Sequence, residues 1–416
     1  MAASEQLSIS VSGLGYVGLP LALAFARKVP VVGYDVSAER VAALKGRYAA
    51  AEKPVIEFTS DPSRLSSANF HIVAVPTPVH PDRSPDLAPL FSAVRTVGRH
   101  LKRGDTVVVE STVHPGCTER ECLPILEGES GLKVDTDFAL AYSPERVNPG
   151  DGVHTLASVT KVVAARTPQA LASVAGVYEL VAEAGVYRAG SIMEAEAAKI
   201  LENTQRDVNI ALVNEFALVM DALGVDTRAV VRTAATKWNF MPFTPGLVGG
   251  HCIGVDPYYL IAEARRLGLP TRVMEAARDV NEGMAPRVAR QVVKMLLADS
   301  GSVAGRRVLI LGLAYKAGVG DVRNSQVPSL MAELRSFGLK DIDVVDPLAS
   351  KTDAGRLYGF EPLDAPAGLY DAAIVATPHA CFSRSAYVRP HLAHGAPVAD
   401  IYGVIADAAG LNIWRL

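Results

Sequence analysis

The sequence is poor in the features that mark secreted, membrane-spanning and nucleic-acid-binding proteins. Its 416 residues include only four cysteines, at positions 117, 122, 252 and 381, too few and too scattered for a disulfide framework or a zinc site. The first residues lack the apolar segment of a secretory signal, and no run of roughly 18 apolar residues predicts a membrane span. The net charge is −3 without a basic block, which argues against nucleic acid as the partner. These absences predict a cytoplasmic protein with free thiols and no bound metal.

A glycine-rich turn lies between a predicted strand and a predicted helix near the start of the chain. Gly13, Gly15 and Gly18 follow a short strand over residues 7–12, and the next predicted strand ends in Asp35. In this setting the glycines let a pyrophosphate approach the backbone, the helix N-terminus attracts its charge, and the carboxylate binds a ribose 2′-hydroxyl. Because Asp35 would repel a 2′-phosphate, the pattern predicts NAD rather than NADP.

Further predicted strands end in polar or proline-containing loops, after residues 75, 110 and 142. In an open parallel sheet, ligands lie outside the carboxyl ends of the strands, so these loops are expected to face one crevice. Thr112 and Glu145 are the loop residues with useful chemistry. Threonine and Pro-Glu are also ordinary turn residues after strands, and spacing alone leaves the two interpretations equal.

A long uninterrupted helix is predicted to begin after Ser191. Ser191 and Glu194 form a capping-box pattern, and Gly224 suits the residue after the helix end. The resulting helix has about 32 residues and a length of roughly 48 Å, which predicts an element that connects domains and carries a dimer interface. Lys199 and Asn203 lie four positions apart and share one face. Arg206 and Asp207 extend this face as a polar stripe. On spacing alone, Lys199 and Asn203 favour a solvated polar stripe.

Residues 245–257 combine four glycines, Cys252 and Asp256 between two prolines. So many glycines indicate tight turns and the close approach of another group to the backbone. A thiol with a carboxylate four positions later makes this loop a candidate covalent site.

Beyond this loop the sequence returns to an alternation of strands and helices. Residues 258–300 are predicted to be helical and amphipathic. The second α/β pattern is predicted to contain strands at residues 307–312, 341–345, 372–376 and 397–401, and a helix at residues 327–337. The predicted fold class is therefore α/β, with two Rossmann-like domains joined by a long central helix and a helical middle domain.

Several motifs together resemble the UDP-glucose/GDP-mannose dehydrogenase family, whose members are nucleotide-sugar 6-dehydrogenases. The motifs lie at residues 13–20, 75–78, 110–113, 143–146, 195–203, 249–256 and 321–325. The forms at residues 205–211, 236–240 and 251–259 are most similar to the branch that acts on UDP-N-acetylhexosamines. The resemblance implies three domains: an NAD-binding Rossmann domain (1–190), a central helical dimerisation domain with the cysteine loop (191–300) and a UDP-sugar-binding Rossmann-like domain (301–416).

The family oxidises the 6-hydroxymethyl group of a sugar to a carboxylate, with two NAD and one water. The resemblance implies that Cys252 adds to the aldehyde as a thiohemiacetal and then carries a thioester until water releases the acid. Lys199 and Asn203 would stabilise oxyanions at C6. Asp256 would handle protons together with Lys199, and Glu145 would be the general base for thioester hydrolysis.

The resemblance also implies binding residues and a UDP-sugar substrate. Thr112 would lie near the nicotinamide and the hydrolytic water. The residues that would contact NAD are Gly13, Gly15, Tyr16, Val17, Gly18, Asp35, Arg40, Pro76, Thr77, Thr112 and Arg323. Those that would contact the substrate are Glu145, Arg146, Lys199, Asn203, Phe240, Phe243, Gly249, Gly250 and Lys316. His251 receives no role, the other three cysteines are expected to be structural, and the long helix is expected to form a homodimer.

Three segments depart from the family pattern. Residues 46–54 are shorter than in relatives on the adenosine side of the NAD site. Thr244 stands where close relatives often have an arginine beside the sugar. Residues 146–149 replace a segment in which UDP-glucose enzymes carry a second glutamate.

The primary hypothesis is a four-electron 6-dehydrogenase of UDP-N-acetylglucosamine that serves a surface polysaccharide or a specialised metabolite. UDP-glucose, UDP-N-acetylgalactosamine and UDP-N-acetylmannosamine are alternative substrates. A two-electron hydroxyacid dehydrogenase would need neither Cys252 nor the second α/β domain. A non-catalytic sensor of NAD or nucleotide sugars would not need a full set of chemically competent residues.

Overall fold

The computed structural model describes residues 7–49, 56–146 and 154–416. Three expectations fall wholly or partly outside these ranges: the start of the chain, the shortened segment before residue 55, and the segment after Arg146. The described chain separates into two compact units: the residues through Glu202 with Tyr258–Leu269, and Asn203–Pro257 with Pro270–Leu416. The bounds of the three predicted domains stay a prediction.

The first unit is built on a mostly parallel sheet. Its strands are β1 (Ile9–Ser12), β2 (Val31–Tyr34), β3 (Ile56–Thr59), β4 (Phe70–Val73), β5 (Thr106–Val109), β6 (Ala139–Tyr142), β7 (Lys161–Ala165) and β8 (Val186–Arg188). In the described residues their order is β3-β2-β1-β4-β5-β6-β7-β8, and β6 and β7 pair antiparallel. The order from β3 to β6 is that of a dinucleotide-binding sheet, which confirms the predicted fold class for this unit.

Five helices described in this unit connect its strands and pack on the sheet. They are α1 (Gly18–Ala26), α2 (Ala38–Tyr48), α3 (Ala88–His100), α4 (Leu123–Ser130) and α5 (Pro168–Tyr178). Strands β1, β2, β4 and β5 are buried at every position, as expected for a sheet covered on both faces. The predictions missed β3, β7 and β8, and β8 is short and largely exposed.

The long helix is present as α6 (Ile192–Leu223), with 32 residues. Its N-terminus is capped, since the Glu194 N–H donates to Ser191 Oγ at 3.1 Å. The Glu194 carboxylate accepts the Gly190 N–H at 3.0 Å, one residue earlier than in a standard capping box. Gly224 follows the helix end at φ 70°, the left-handed conformation that glycine favours.

The helical stretch predicted for residues 258–300 is divided. The helices after α6 are α7 (Thr227–Ala234), α8 (Asp256–Arg266) and α9 (Arg272–Ser300). The chain leaves α8 through Gly268 at φ 71° and Pro270, which lacks an N–H to continue a helix, so the predicted helical stretch consists of two helices, α8 and α9. No helix in the described ranges combines the length and apolar character that crossing a bilayer requires.

The second unit ends in a parallel sheet. Its strands are β9 (Arg307–Leu311), β10 (Asp341–Val345), β11 (Ala372–Val375), β12 (Pro397–Asp400) and β13 (Asn412–Arg415). The helices between these strands are α10 (Val327–Ser336), α11 (Lys351–Tyr358) and α12 (Ser385–Val388). Within the described residues the strand order is β10-β9-β11-β12-β13. This arrangement confirms the second Rossmann-like pattern, and it adds β13, which the predictions missed.

Polar side chains on α6 are buried against α9. Asp207 is fully buried, and its Oδ1 accepts bonds from Arg278 Nη1 at 2.6 Å and Asn281 Nδ2 at 2.8 Å. Asn214 is also fully buried and donates to the Asn281 side chain at 2.9 Å. Asp207 therefore belongs to a buried hydrogen-bonding ladder rather than to a polar stripe on the surface. Arg206, the residue before it, is exposed.

Replacing Arg278 with methionine tests this ladder. The change leaves the Asp207 carboxylate buried without its cation, so we expect the free energy of unfolding to fall by about 3–5 kcal/mol. Arg290→Met is the matched control, because Arg290 is exposed and pairs with Glu333 at 2.9 Å, a contact worth at most about 1 kcal/mol. Denaturant unfolding measures both variants, and equal losses would contradict the account.

Candidate active site

The glycine-rich turn after β1 has space for a ligand at one of its three glycines. Gly13 has φ 96°, and a Cβ there would lie 2.5 Å from the Ala74 carbonyl oxygen. A Cβ on Gly18 would lie 1.9 Å from the Gly13 oxygen. A Cβ on Gly15 would meet no atom within 4 Å. Gly13 and Gly18 are therefore required by the fold of the turn, whereas Gly15 leaves room where a pyrophosphate approaches the backbone in this motif.

Asp35 and Arg40 fix the same turn from its flank. The Asp35 carboxylate accepts the Leu14 N–H at 2.9 Å and the Ser37 N–H at 2.9 Å. The Arg40 guanidinium donates to the Leu14 carbonyl through Nη2 at 2.9 Å. Asp35 thus sits at the carboxyl end of β2 with acceptor capacity left for a hydroxyl. These residues fit the adenosine half of NAD.

The loops after β4 and β5 are bonded to each other. Ser111 Oγ accepts the Val75 N–H at 3.0 Å and donates to the Val75 carbonyl at 2.7 Å. Thr112 and Thr77 are half-buried beside this connection, and Pro76 is exposed. Both loops follow carboxyl ends of neighbouring parallel strands, the location at which such sheets bind ligands.

A buried charge pair supports Glu145, and sequence reasoning missed it. Lys161, on β7, is almost fully buried, and its Nζ lies 2.9 Å from Glu110 Oε1 and 3.7 Å from Glu145 Oε2. The same Nζ donates to the Pro144 carbonyl at 3.1 Å, and the Tyr178 hydroxyl donates to Glu110 at 2.6 Å. The loop that carries Glu145 is therefore held by contacts to one buried cation.

The charge on Lys161 is maintained by its neighbours. Burial lowers the pKa of Lys161, but the negative charges of Glu110 and Glu145 outweigh this effect and leave the pKa raised. Burial raises the pKa of Glu110, and the Lys161 charge opposes that rise. The lysine lies in a strand that the sequence pattern did not predict, so no local signal marked it as a neighbour of Glu145.

Arg146, a predicted substrate ligand, has protein partners in the first unit. Its Nη2 donates to Glu202 Oε1 at 2.7 Å, and its Nη1 donates to the Thr160 carbonyl at 3.3 Å. Its guanidinium is half-buried.

Cys252 is exposed and lies just before helix α8. The Asp256 N–H donates to the Cys252 carbonyl at 2.9 Å, which places the thiol one turn before the positive helix end. Asp256 itself is buried, and its Oδ2 accepts a bond from Asn203 Nδ2 at 2.5 Å. The loop therefore presents a thiol to solvent while its carboxylate is held by α6.

Lys199 and Asn203 are both buried, with 8% and 6% of their surfaces exposed. The solvated stripe favoured by their spacing is therefore wrong. Polar groups buried in this way require partners, and Asn203 has one in Asp256.

The two glycines before Cys252 pack closely against the loop after β9. A Cβ on Gly249 would lie 2.6 Å from the Asn324 carbonyl oxygen, and one on Gly250 would lie 2.7 Å from the Tyr315 ring. Asn324 Nδ2 also donates to the Gly250 carbonyl at 3.1 Å. Side chains at these positions would separate the cysteine loop from the rest of its unit.

His251 is positioned by an ion pair on the same side of the loop. Arg323 donates to both carboxylate oxygens of Asp321, at 2.9 and 2.8 Å, and His251 Nδ1 lies 3.7 Å from Asp321 Oδ2. Burial and the Arg323 charge lower the pKa of His251 to about 4 against the opposing effect of Asp321. The imidazole is therefore neutral near pH 7.

A small, shallow cleft lies in the second unit beside the cysteine loop, lined by residues that include Gly249, Tyr315, Ser325 and Gln326. Lys316, next to Tyr315, is half-buried. Phe240 is 37% exposed, Phe243 is half-buried and Thr244 is exposed.

Of the remaining cysteines, Cys117 and Cys122 are buried and Cys381 is exposed.

The glycine-rich turn, with its open Gly15 and with Asp35 at the end of β2, indicates a protein that binds a dinucleotide. Comparison with known sequences extends this class. The chain matches the UDP-glucose/GDP-mannose dehydrogenase family in its NAD binding domain at residues 7–182, its central domain at 193–283 and its UDP binding domain at 309–407. The chain belongs to this family, and NAD is its cofactor.

Characterised relatives resemble the chain over nearly their whole lengths. It is 45% identical over 388 residues to the UDP-N-acetyl-D-glucosamine 6-dehydrogenase of Pseudomonas aeruginosa, covering 91% of this chain and 92% of that one. The enzyme of the same name from Salmonella typhi is 44% identical over 390 residues, with 91% and 92% covered. The solved structure of a UDP-D-ManNAc dehydrogenase from Pyrococcus horikoshii aligns with a TM-score of 0.87 at 30% identity, covering 98% of this chain and 99% of that one.

Gly15→Ala separates ligand binding from folding. Because its Cβ would meet no protein atom within 4 Å, we expect unchanged thermal stability but NAD affinity lower by roughly tenfold or more, about 1.4 kcal/mol. Gly176→Ala is the control, since a Cβ there also meets no atom within 4 Å and the residue lies on α5, outside the glycine-rich turn. Calorimetric titration with NAD measures both. Unaltered NAD affinity in Gly15→Ala would contradict the site.

Proposed function

We propose that the protein is a four-electron 6-dehydrogenase that converts UDP-N-acetylglucosamine to its uronate with two NAD and one water. The observation that carries the proposal is the exposed Cys252 thiol on a loop whose carboxylate, Asp256, is buried and bonded to Asn203. A two-electron dehydrogenase forms no covalent intermediate and so needs no thiol nucleophile. A non-catalytic sensor does not need one either.

In the proposed reaction Cys252 is the nucleophile. NAD, when bound, accepts one hydride from C6 in each of the two oxidations. After the first oxidation the thiolate sulfur adds to the aldehyde carbon and forms a thiohemiacetal, which keeps the aldehyde from leaving the enzyme. Loss of the second hydride from C6, together with the proton of the thiohemiacetal hydroxyl, leaves a thioester. Water then attacks the thioester carbonyl carbon, the C–S bond breaks, and the carboxylate and the free thiol are formed.

Lys199, Asn203 and Asp256 are proposed to control charge at C6. Lys199 and Asn203 are buried one turn apart on α6, and donors held in a water-poor place stabilise a developing oxyanion more strongly than water does. The Asn203–Asp256 bond orients the amide, and the Asp256 carboxylate accepts protons that the alcohol and the thiol release. Loss of either partner would leave the other buried and misplaced.

Glu145 is proposed as the base that activates water for thioester hydrolysis. A base must hold a fixed orientation to take a proton from a single water. The Lys161 cation, 3.7 Å from Glu145 Oε2 and bonded to the Pro144 carbonyl, supplies that orientation. Thr112, on the loop after β5, is proposed to contact the same water and the nicotinamide.

The remaining predicted contacts to NAD and to the substrate are also proposals. The Gly13–Gly18 turn with Asp35 and Arg40 is assigned to the adenosine and pyrophosphate of NAD, and Arg323 to the pyrophosphate. Lys316 and the cleft beside Gly249 are assigned to the nucleotide sugar. A cytoplasmic location stays a prediction of the sequence.

The identity of the sugar is supported by sequence similarity. The relatives named UDP-N-acetyl-D-glucosamine 6-dehydrogenases are 44–45% identical to the chain, whereas those named UDP-N-acetyl-D-mannosamine dehydrogenases are 30–33% identical. UDP-N-acetylglucosamine is therefore the favoured substrate. Thr244, exposed near the cysteine loop, is the position at which sugar preference is most open to change.

A homodimer through α6 is proposed from the apolar residues on its C-terminal half. Leu212, Phe216, Val219 and Leu223 recur at helical spacing and are 37–66% exposed. An exposed apolar stripe of this length indicates an interaction surface, and a second copy of the same helix matches it in length and character.

Cys252→Ser is the test of the mechanism. We expect uronate formation from UDP-N-acetylglucosamine to fall by roughly 10³-fold or more, because the hydroxyl is a far weaker nucleophile than a thiolate. Cys381→Ser, which removes another exposed thiol, is expected to retain wild-type activity. Mass spectrometry of the product measures uronate formation by both variants.

The same assay with UDP-glucose, UDP-N-acetylgalactosamine and UDP-N-acetylmannosamine tests the identity of the sugar. Faster turnover of any of these three substrates than of UDP-N-acetylglucosamine would overturn the assignment.

Leu223→Lys tests the dimer. The residue is 66% exposed, so we expect the monomer to fold normally while a buried charge at the helix interface weakens self-association. Light scattering of wild type and variant is the measurement. A wild-type protein that is monomeric at all concentrations would contradict the proposal, and Leu357→Lys, at an exposed leucine on α11, serves as the control.

A further inference from the structure

The segment that follows Thr112 brings three metal-ligating side chains together. His114, Cys117 and Glu121 each place one ligand atom such that all three atoms lie within 4.8 Å of one another. His114 Nε2 lies 2.9 Å from Glu121 Oε1. Imidazole, thiolate and carboxylate are the ligands that zinc takes in proteins, at about 2.0–2.3 Å from the metal. A single ion at the centre of this triangle requires movements of less than about 1 Å.

The backbone of the segment explains why these residues converge. The Cys117 N–H donates to the His114 carbonyl at 3.1 Å, so a tight turn brings the imidazole and the thiol to one side. A wide helical turn over Thr118–Cys122 then returns Glu121 to the same side. The spacing is His-x-x-Cys-x-x-x-Glu, a local pattern that counting cysteines over the whole chain does not reveal.

Groups around the three residues fix them in an orientation that suits a ligand set. His114 Nδ1 lies 3.4 Å from the Pro115 carbonyl oxygen, and Nε2 faces Glu121 Oε1, so a bound ion would replace that contact between Nε2 and the carboxylate. The Cys117 thiol contacts the Cys122 sulfur, and this contact raises the pKa of Cys117. The fully buried Glu196 accepts the N–H groups of Gly116 and Thr118, so the turn is anchored to α6.

Charge and exposure are also consistent with a cation. Contact with Cys122 and burial raise the pKa of Cys117, so an ion that binds must displace the thiol proton. The resulting thiolate and the Glu121 carboxylate would together neutralise a divalent ion. Glu263 Oε2 lies 4.0 Å from His114 Nδ1, and this carboxylate is already paired with Arg120 and Arg266. The Arg120 guanidinium donates to Glu263 at 2.6 Å and to the Pro115 carbonyl. Cys117 is fully buried and Glu121 is about one-third exposed, which gives an ion a path from solvent.

We propose that His114, Cys117 and Glu121 form a binding site for a zinc-like divalent cation, with a water molecule as the fourth ligand. A thiolate and an imidazole select zinc over magnesium or calcium, which prefer oxygen ligands alone. The site begins two residues after Thr112, so an ion there fixes the loop that follows β5. The inference is independent of the proposed enzymatic function.

Cobalt(II) is the probe that distinguishes this site from the cysteine loop at Cys252. The Cys252→Ser protein, treated with a chelator and dialysed, is titrated with cobalt(II). We expect one equivalent to bind, with the visible bands of a tetrahedral ion and the near-ultraviolet charge-transfer band of a cobalt–thiolate bond. Zinc should displace the cobalt, and elemental analysis should find one zinc per chain.

Variants in the Cys252→Ser background assign the ligands. Cys117→Ser is expected to remove the charge-transfer band, and His114→Gln to weaken cobalt affinity by roughly tenfold or more. Glu121→Gln, at a partly exposed position that leaves the core intact, should weaken affinity while the charge-transfer band remains. Cys381→Ser should change neither. The proposal is overturned if no stoichiometric binding occurs, or if the band survives in a folded Cys117→Ser protein.

Discussion

Hydrogen bonds from one face of helix α6 hold the thiol loop in place, and the proposed chemistry depends on them. Asn203 bonds Asp256 within the loop, and Asn214 bonds both the N–H and the carbonyl of Gly246 at its beginning. Asp207, between them, is fixed by Arg278. Each group is buried, and an unpaired buried polar group costs about 1–3 kcal/mol. The loop therefore has one favoured position on the helix.

A second buried network has the same role in the first unit. Lys161 binds Glu110 and the Pro144 carbonyl, and so fixes the loop that carries Glu145. In both units a reactive or basic residue stands on an irregular loop, and an ionic or amide side chain from a regular element fixes that loop. Preorganisation of this kind lets donors and bases act without reorganising during the reaction.

Local patterns made most of the fold predictable, whereas the roles of most candidate site residues came from the family resemblance. Gly13, Gly15 and Gly18 beside Asp35 form a short-range signal, and the 32-residue α6 has no internal glycine or proline. Residue spacing could not predict which polar side chains are buried, because their burial depends on tertiary packing. Asp207, as part of a polar stripe, was expected in solvent and is buried, because its partner Arg278 is 71 residues away in sequence. Lys161 was missed for the same reason. The His114 cluster is local, and it was missed because its single cysteine is joined by a histidine and a glutamate rather than by other cysteines.

The number of NADH formed for each uronate tests the central claim most directly. With a limiting, weighed amount of UDP-N-acetylglucosamine and excess NAD, absorbance counts the NADH and mass spectrometry counts the carboxylate product. A covalent intermediate held on Cys252 through both oxidations predicts two NADH per uronate and no free aldehyde. One NADH per sugar, with a released aldehyde, would contradict the account.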